Sequence, residues 1–143
     1  MYRLLLDTNI LLDCVDPGRP FHGDAMRLLS RCNGGGDMGL ASSHSLKDVY
    51  YVMGKLYGEP AARNAVRVLA DLVVVGPVGA EETLIALESN EPDFEDGLVR
   101  AFAELNGADF IISRDEKAFR KATIRRLTAS EYLEVVCGGE WVS

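Results

Sequence analysis

The chain is poor in several residue types and patterns, and each shortage excludes something. Its three cysteines, Cys14, Cys32 and Cys137, are an odd number at wide spacing with no C-x-x-C. That excludes a disulfide framework and a thiolate zinc site, and leaves reduced thiols in or near the core. The two histidines, His22 and His44, are too few to argue for acid–base roles and read as structural. Long apolar runs are missing. Runs such as Leu4-Leu5-Leu6, Ile10-Leu11-Leu12 and Leu72-Val73-Val74-Val75 are short, against the ~18 residues a membrane span needs. Asp7 interrupts any leader-like apolar core, and no small-residue cleavage site follows it, so a soluble, intracellular (cytoplasmic) protein with no membrane partner is expected. Positive charge is also scarce. Fifteen Lys and Arg against 22 Asp and Glu give a net charge of −7, which excludes a protein that holds nucleic acid by overall charge. The run Asn33-Gly34-Gly35-Gly36-Asp37 fits neither glycine-rich phosphate motif and reads as a turn.

What is present is the composition of an ordinary globular domain, 48% hydrophobic and 26% charged over 143 residues, a size at which one core is the default. No linker, repeat or low-complexity stretch divides it, so one domain over 1–143 is expected. The charges are segregated. Residues 81–96 hold seven acids and no base, whereas residues 114–126 hold six bases and two acids.

Strands and helices alternate. Tyr2–Leu6 is apolar on consecutive positions, the pattern of a strand buried on both faces of a parallel sheet; Met38–Ala41, Val73–Val75 and Phe110–Ile112 read likewise as strands, with Arg125–Leu127 at an edge. Between them the spacing predicts a short helix to about Cys14 capped by Thr8 or Asn9, then helices over about Phe21–Cys32, from Ser42 or Ser43 to Leu56, and from Pro60 to Leu72. Further helices are expected over Ala80–Ser89, from Asp93 or Phe94 to Asn106 with Leu98, Phe102 and Leu105 buried, over Asp115–Lys121, and from Thr128 to about Val136. Tyr50 and Tyr51 are expected to pack in a core or dimer contact, and Trp141 on the body or a partner. The sum is an α/β layered fold with a mostly parallel sheet.

In such a sheet ligands sit beyond the carboxyl ends of the strands. Two strands end in aspartate there, at Asp7 and Asp115, and two helices that begin at that rim bring Asp48, Asp93, Glu95 and Asp96. Two carboxylates at ~4 Å repel by about 4 kcal/mol at an effective dielectric near 20, so a cluster needs protons or a cation. All-oxygen donors without paired His or Cys select Mg²⁺ or Mn²⁺, and the chemistry such ions support at a carboxylate rim is phosphoester hydrolysis. Acids at helix starts are ordinarily caps or dipole partners. Asp7, placed directly after three buried leucines, is costly without a partner and is read as functional.

Three blocks in this order resemble the PIN domain: Asp7-Thr8-Asn9-Ile10-Leu11-Leu12-Asp13, Asp93-Phe94-Glu95-Asp96, and Gly107-Ala108-Asp109-Phe110-Ile111-Ile112-Ser113-Arg114-Asp115. The resemblance implies a three-layer α/β/α sandwich on a five-stranded sheet and metal-dependent cleavage of single-stranded RNA. It also implies, for small members of the VapC toxin type, an antitoxin partner and often a homodimer. By position Asp7, Asp96 and Asp115 match the family's first, third and fourth acids. Asp48 stands where glutamate is usual, about one methylene short, so that a water would bridge it to the metal. Asn9, Ser113 and Asp93 are the implied supporting residues; Asp93 and Asp13 also read as caps or solvated acids. Arg114, Lys117, Arg120 and Lys121 are expected on the path of an RNA backbone.

A phosphatase of the haloacid dehalogenase type is disfavoured because Asn9 stands where its second aspartate is required. A response-regulator receiver is disfavoured because Val75-Gly76-Pro77 supplies no phosphorylatable aspartate. A non-catalytic PIN-like module that binds RNA or a protein partner is the rival from a different class.

Overall fold

The computed structural model describes residues 1–138; Trp141 lies outside them. Five parallel strands run β1 (Arg3–Leu6), β2 (Met38–Ser42), β3 (Val74–Gly76), β4 (Phe110–Ile112) and β5 (Arg125–Leu127), in the spatial order β3-β2-β1-β4-β5. β1 lies at the centre, with Leu5 opposite both Leu40 and Ile111. Helices α1 (Thr8–Val15), α2 (His22–Asn33), α3 (Ser43–Tyr57), α4 (Glu59–Leu72), α5 (Ala80–Glu88), α6 (Phe94–Leu105) and α7 (Ala129–Glu131, continued by a π-helical stretch Tyr132–Val136) connect them.

Two apolar clusters lie on opposite faces of the sheet, because successive side chains of a strand alternate sides. Leu4 and Leu6 pack with Leu11, Leu28, Val49, Leu69 and Tyr132 under α1–α4 and α7. Leu5 and Leu40 pack with Phe102, Ile111 and Phe119 under α6 and the loop after β4. This is the expected α/β/α sandwich. β3 departs from the expectation of a buried strand: Val74 and Val75 are 52% and 39% exposed because β3 is the sheet edge and α5 turns away from it to pack on α6.

Local chemistry sets the boundaries. Asp7 caps α1 by accepting from the Thr8 N–H at 2.9 Å, the role expected of Thr8 or Asn9. Ser42 caps α3. Gly58, at φ +94°, both ends α3 and precedes α4, a conformation open to glycine without strain. The buried face of α6 is Gly97, Ala101, Phe102 and Ala103, with Leu105 43% exposed rather than buried.

The segment 115–121 is a loop and not the expected helix. Its backbone donors are taken by carboxylates instead of by carbonyls one turn back: Asp115 Oδ1 accepts from Lys117 N at 2.9 Å and Ala118 N at 3.1 Å, and Glu91 Oε1 accepts from Phe119 N at 2.7 Å. Phe119 adopts φ +67°, which no helix tolerates. No helix among the described residues is long and apolar enough to cross a membrane.

Candidate active site

The loops after β1, β2 and β4 and the start of α6 meet at the carboxyl edge of the sheet. Asp7 follows the last residue of β1, its N–H donating to the Ile112 carbonyl of β4 at 3.0 Å. Its carboxylate is 8% exposed and accepts from Ser113 Oγ at 2.8 Å, Thr8 N at 2.9 Å and, longer, Asn9 Nδ2 at 3.4 Å. Ser113 Oγ in turn accepts from Asn9 Nδ2 at 3.2 Å and Asp115 N at 3.1 Å, while Asn9 Oδ1 accepts from Arg114 N at 3.1 Å. Asn9 and Ser113 therefore lock the turn after β1 to the turn after β4, and with it the relative positions of Asp7 and Asp115.

Asp96 lies in the first turn of α6, whose cap is Asp93: Asp93 Oδ1 accepts from Asp96 N at 2.8 Å. The electrostatics tie the acids together. Burial pushes Asp7 above the usual carboxylate range, its hydrogen bonds to Ser113 and Thr8 pull it down, and the charges of Asp115 and Glu95 push it up again. Asp96 is pushed up to about 7 by burial, then by Asp93 and Asp115, with Asp7 contributing.

A cleft of about 530 Å³ joins Asp7, Asp48, Glu95 and Asp96 with the hydroxyls of Thr8, Ser42 and Ser45. Thr8 Oγ1 donates to Ser45 Oγ at 3.0 Å, and Ser42 Oγ donates to the same oxygen at 3.2 Å. Asp48 faces this cleft but is 44% exposed and pairs with Lys47 Nζ at 3.4 Å. Glu95, one of the acids the sequence brings to this rim, belongs to the cleft, and so does His44, to which sequence reasoning gave no role there. Glu95 was legible as a neighbour of Asp96 in one helical turn; His44, at the start of α3, was not.

Asp13 is neither a cap nor solvated. It is fully buried and held by Arg19 Nε at 2.8 Å and by Arg114 through Nε at 2.8 Å and a second guanidinium N–H at 3.1 Å. Arg114 also lies over the Phe21 ring at 4.4 Å. Its charge is thus engaged within the fold, whereas Lys117, Arg120 and Lys121 are exposed. His22 Nδ1 meets the Asp13 carbonyl at 2.7 Å, a structural contact. Tyr50 and Tyr51 are 40% and 60% exposed rather than packed within the chain. The cysteines are free, and burial pushes the Cys14 and Cys32 thiols up to about 12, leaving them protonated and inert.

A parallel-stranded sandwich whose carboxyl edge gathers acids after β1 and from α3 and α6 around one cleft, with Asp115 outside its lining, defines a class of acid-cleft α/β proteins. Comparison narrows the class. The family described as "PIN domain" matches residues 3–117, and the chain belongs to it. Ribonuclease VapC1 of Aquifex aeolicus is 27% identical over 137 residues, covering 92% of this chain and 94% of that protein. Among solved structures, the chain is similar to Mycobacterium tuberculosis VapC20, described as a sarcin-ricin loop cleaving toxin, at 22% identity and TM-score 0.65, covering 78% of this chain and 89% of that one. It is also similar to a chain of a toxin–antitoxin complex from Klebsiella pneumoniae, at 21% identity and TM-score 0.67, covering 88% and 97%.

Among the described residues no three acidic, His or Cys side chains converge tightly enough to grip one ion as they stand. The chemistry nevertheless fits. Every donor is an oxygen, burial and then the charge of Asp115 raise both Asp7 and Asp96, with Asp7 adding to Asp96, and a cation is what removes that repulsion. Of the two Asp115 oxygens, only Oδ1 accepts hydrogen bonds among the described residues.

Proposed function

We propose that residues 1–143 form one PIN-like domain that is a divalent-metal-dependent endoribonuclease, cleaving single-stranded RNA in the cytoplasm as the toxin of a toxin–antitoxin pair. The observation that carries this reading is that the Asp115 charge bears on both Asp7 and Asp96, so that carboxylates from three separate elements lie close together at the carboxyl edge of the sheet. Asp7, Asp96 and Asp115 would hold Mg²⁺ or Mn²⁺, with Asp48 reaching it through a water. Such an ion lowers the pKa of a water and offsets the charge of the phosphodiester.

The chain's own residues do the rest. Ser113, Thr8 and Asn9 fix the Asp7 carboxylate, so little reorganisation is needed when a cation arrives. Asp96 must give up its proton before it ligates, since its carboxyl titrates near 7. The Thr8, Ser42 and Ser45 hydroxyls line the cleft, and Ser45, accepting from the other two, keeps its own proton for a non-bridging phosphate oxygen. The antitoxin partner is supported by the similar chain from Klebsiella pneumoniae, which was solved in a toxin–antitoxin complex.

The test is cleavage of a labelled single-stranded RNA with Mn²⁺. The expected result is cleavage abolished by EDTA and reduced at least ~100-fold by Asp96→Asn, as for loss of a group acting in the transition state. Asp48→Glu is expected to raise the rate, because its longer side chain reaches past Lys47 into the cleft. Metal-independent cleavage, or cleavage equal in Asp96→Asn, would overturn the reading. No cleavage of varied RNAs would leave the non-catalytic binding module in its place.

A further inference from the structure

Of the ten basic residues before Lys117, seven form ion pairs: Arg19, Arg27, Arg31, Lys47, Arg63, Arg100 and Arg114. From Lys117 onward the pattern reverses. Lys117, Arg120, Lys121, Arg125 and Arg126 form none among the described residues, in a chain of net charge −7. Three of them, Arg120, Arg125 and Arg126, line a polar groove of about 540 Å³ with Glu116, Phe119 and Thr123.

This groove is held in shape. Phe119, beside Arg120, is 3% exposed and is the one non-glycine residue at positive φ among the described residues, a strain that persists only where the surroundings impose it. Glu91 imposes it. Its side chain is 2% exposed, and it takes the Phe119 N–H on one oxygen and Arg100 on the other. The groove also adjoins the acid cleft. Arg126 donates to the Ser113 carbonyl at 2.9 Å, and Ser113 Oγ donates to Asp7 at 2.8 Å. A single residue thus touches both sites.

We propose that this groove binds the phosphodiester backbone of the RNA on one side of the scissile bond, through Arg120, Arg125 and Arg126. The inference rests on the nuclease reading for which site it serves. A polyanion is repelled by the acid cleft, and fixed cations one residue away supply the attraction that brings it there. Contacts of this kind position a strand without reading its sequence, and residues 125 and 126, from β5, extend the surface beyond the bases expected from sequence.

The experiment is fluorescence anisotropy of a short labelled single-stranded RNA across a salt series in EDTA, where metal-dependent cleavage is silent. Wild type is compared with Arg120→Ala/Arg125→Ala and with Arg63→Ala/Arg67→Ala, which removes the same charge from exposed positions of α4. The slope of log affinity on log salt is expected to fall by about 1.4 in the groove variant, ~0.7 for each lost phosphate contact. It should hold in the α4 control and be largely restored by Arg120→Lys/Arg125→Lys. An unchanged slope, or an equal fall in the control, would overturn the proposal. So would a wild type that ignores RNA but binds polyglutamate through these arginines, which would make the groove a protein-docking site. Cleavage with Mn²⁺ beside an unchanged slope removes the groove alone; a reduced slope without cleavage removes the nuclease reading alone.

Discussion

Asp96 shows what one carboxyl does when its neighbours share its sign. Its folded-state pKa lies at about 7, against 3.8 for the free side chain, because of burial and then the charges of Asp93 and Asp115. A raised carboxyl pKa means that the folded state binds the proton more tightly than the unfolded chain. The group therefore costs stability in full above pH 7, and the cost fades as pH falls from about 7 toward 3.8. In metal-free protein, Asp96→Asn is expected to be more stable than wild type at pH 8, by about 1 kcal/mol once screening at this half-exposed site is allowed for. The advantage should shrink toward zero by about pH 4, as read by urea unfolding at each pH. An advantage independent of pH would contradict the account. Asp13 marks the limit of what single residues reveal. Its sequence neighbours suggest a solvated helix residue, and nothing local announces that Arg19 and Arg114, the latter 101 positions away, bury it completely.

At the scale of elements, consecutive apolar residues made the central strands legible, because only a strand covered on both faces can bury every side chain. Cap residues and Gly58 made most helix ends legible too. Segment 115–121 was misread because Ala118, Phe119 and Ala122 are spaced like a helical stripe, while the carboxylates that capture its N–H groups come from Asp115 and from Glu91 in another loop. The buried face of α6 was misread for a related reason: leucines suggested a face, but close approach of α5 selected Gly97. A Cβ at Gly97 would meet Ser89 Oγ at 2.7 Å and the Ala86 carbonyl oxygen at 3.0 Å. Because one of these atoms is backbone, Gly97→Ala is expected to destabilise the fold by about 1–3 kcal/mol, measured by urea unfolding. A neutral effect would mean that the α5–α6 contact is looser than described. Gly97 also follows Asp96 directly, so the same substitution displaces the start of α6 that carries the site acid.

For the whole molecule, the order β3-β2-β1-β4-β5 brings the ends of β1 and β4 side by side and puts α6 across from α3. That order is set by long-range packing. It explains why Asp7 and Asp115 were legible as a pair only on the assumption of neighbouring strands, and why His44 entered the cleft unforeseen. On the proposed reading, the acid cleft and the basic groove divide an acidic protein into one place for a cation and one for a polyanion. The central claim is that Asp7, Asp96 and Asp115 hold a divalent ion. Binding of Mn²⁺ followed by electron paramagnetic resonance at pH 8 tests it most directly, without RNA or turnover. Asp7→Asn and Asp96→Asn are each predicted to weaken binding at least ~10-fold, the scale of losing a ligand or its support, while Arg63→Ala leaves it unchanged. Equal Mn²⁺ affinity in wild type and both aspartate variants would contradict the account.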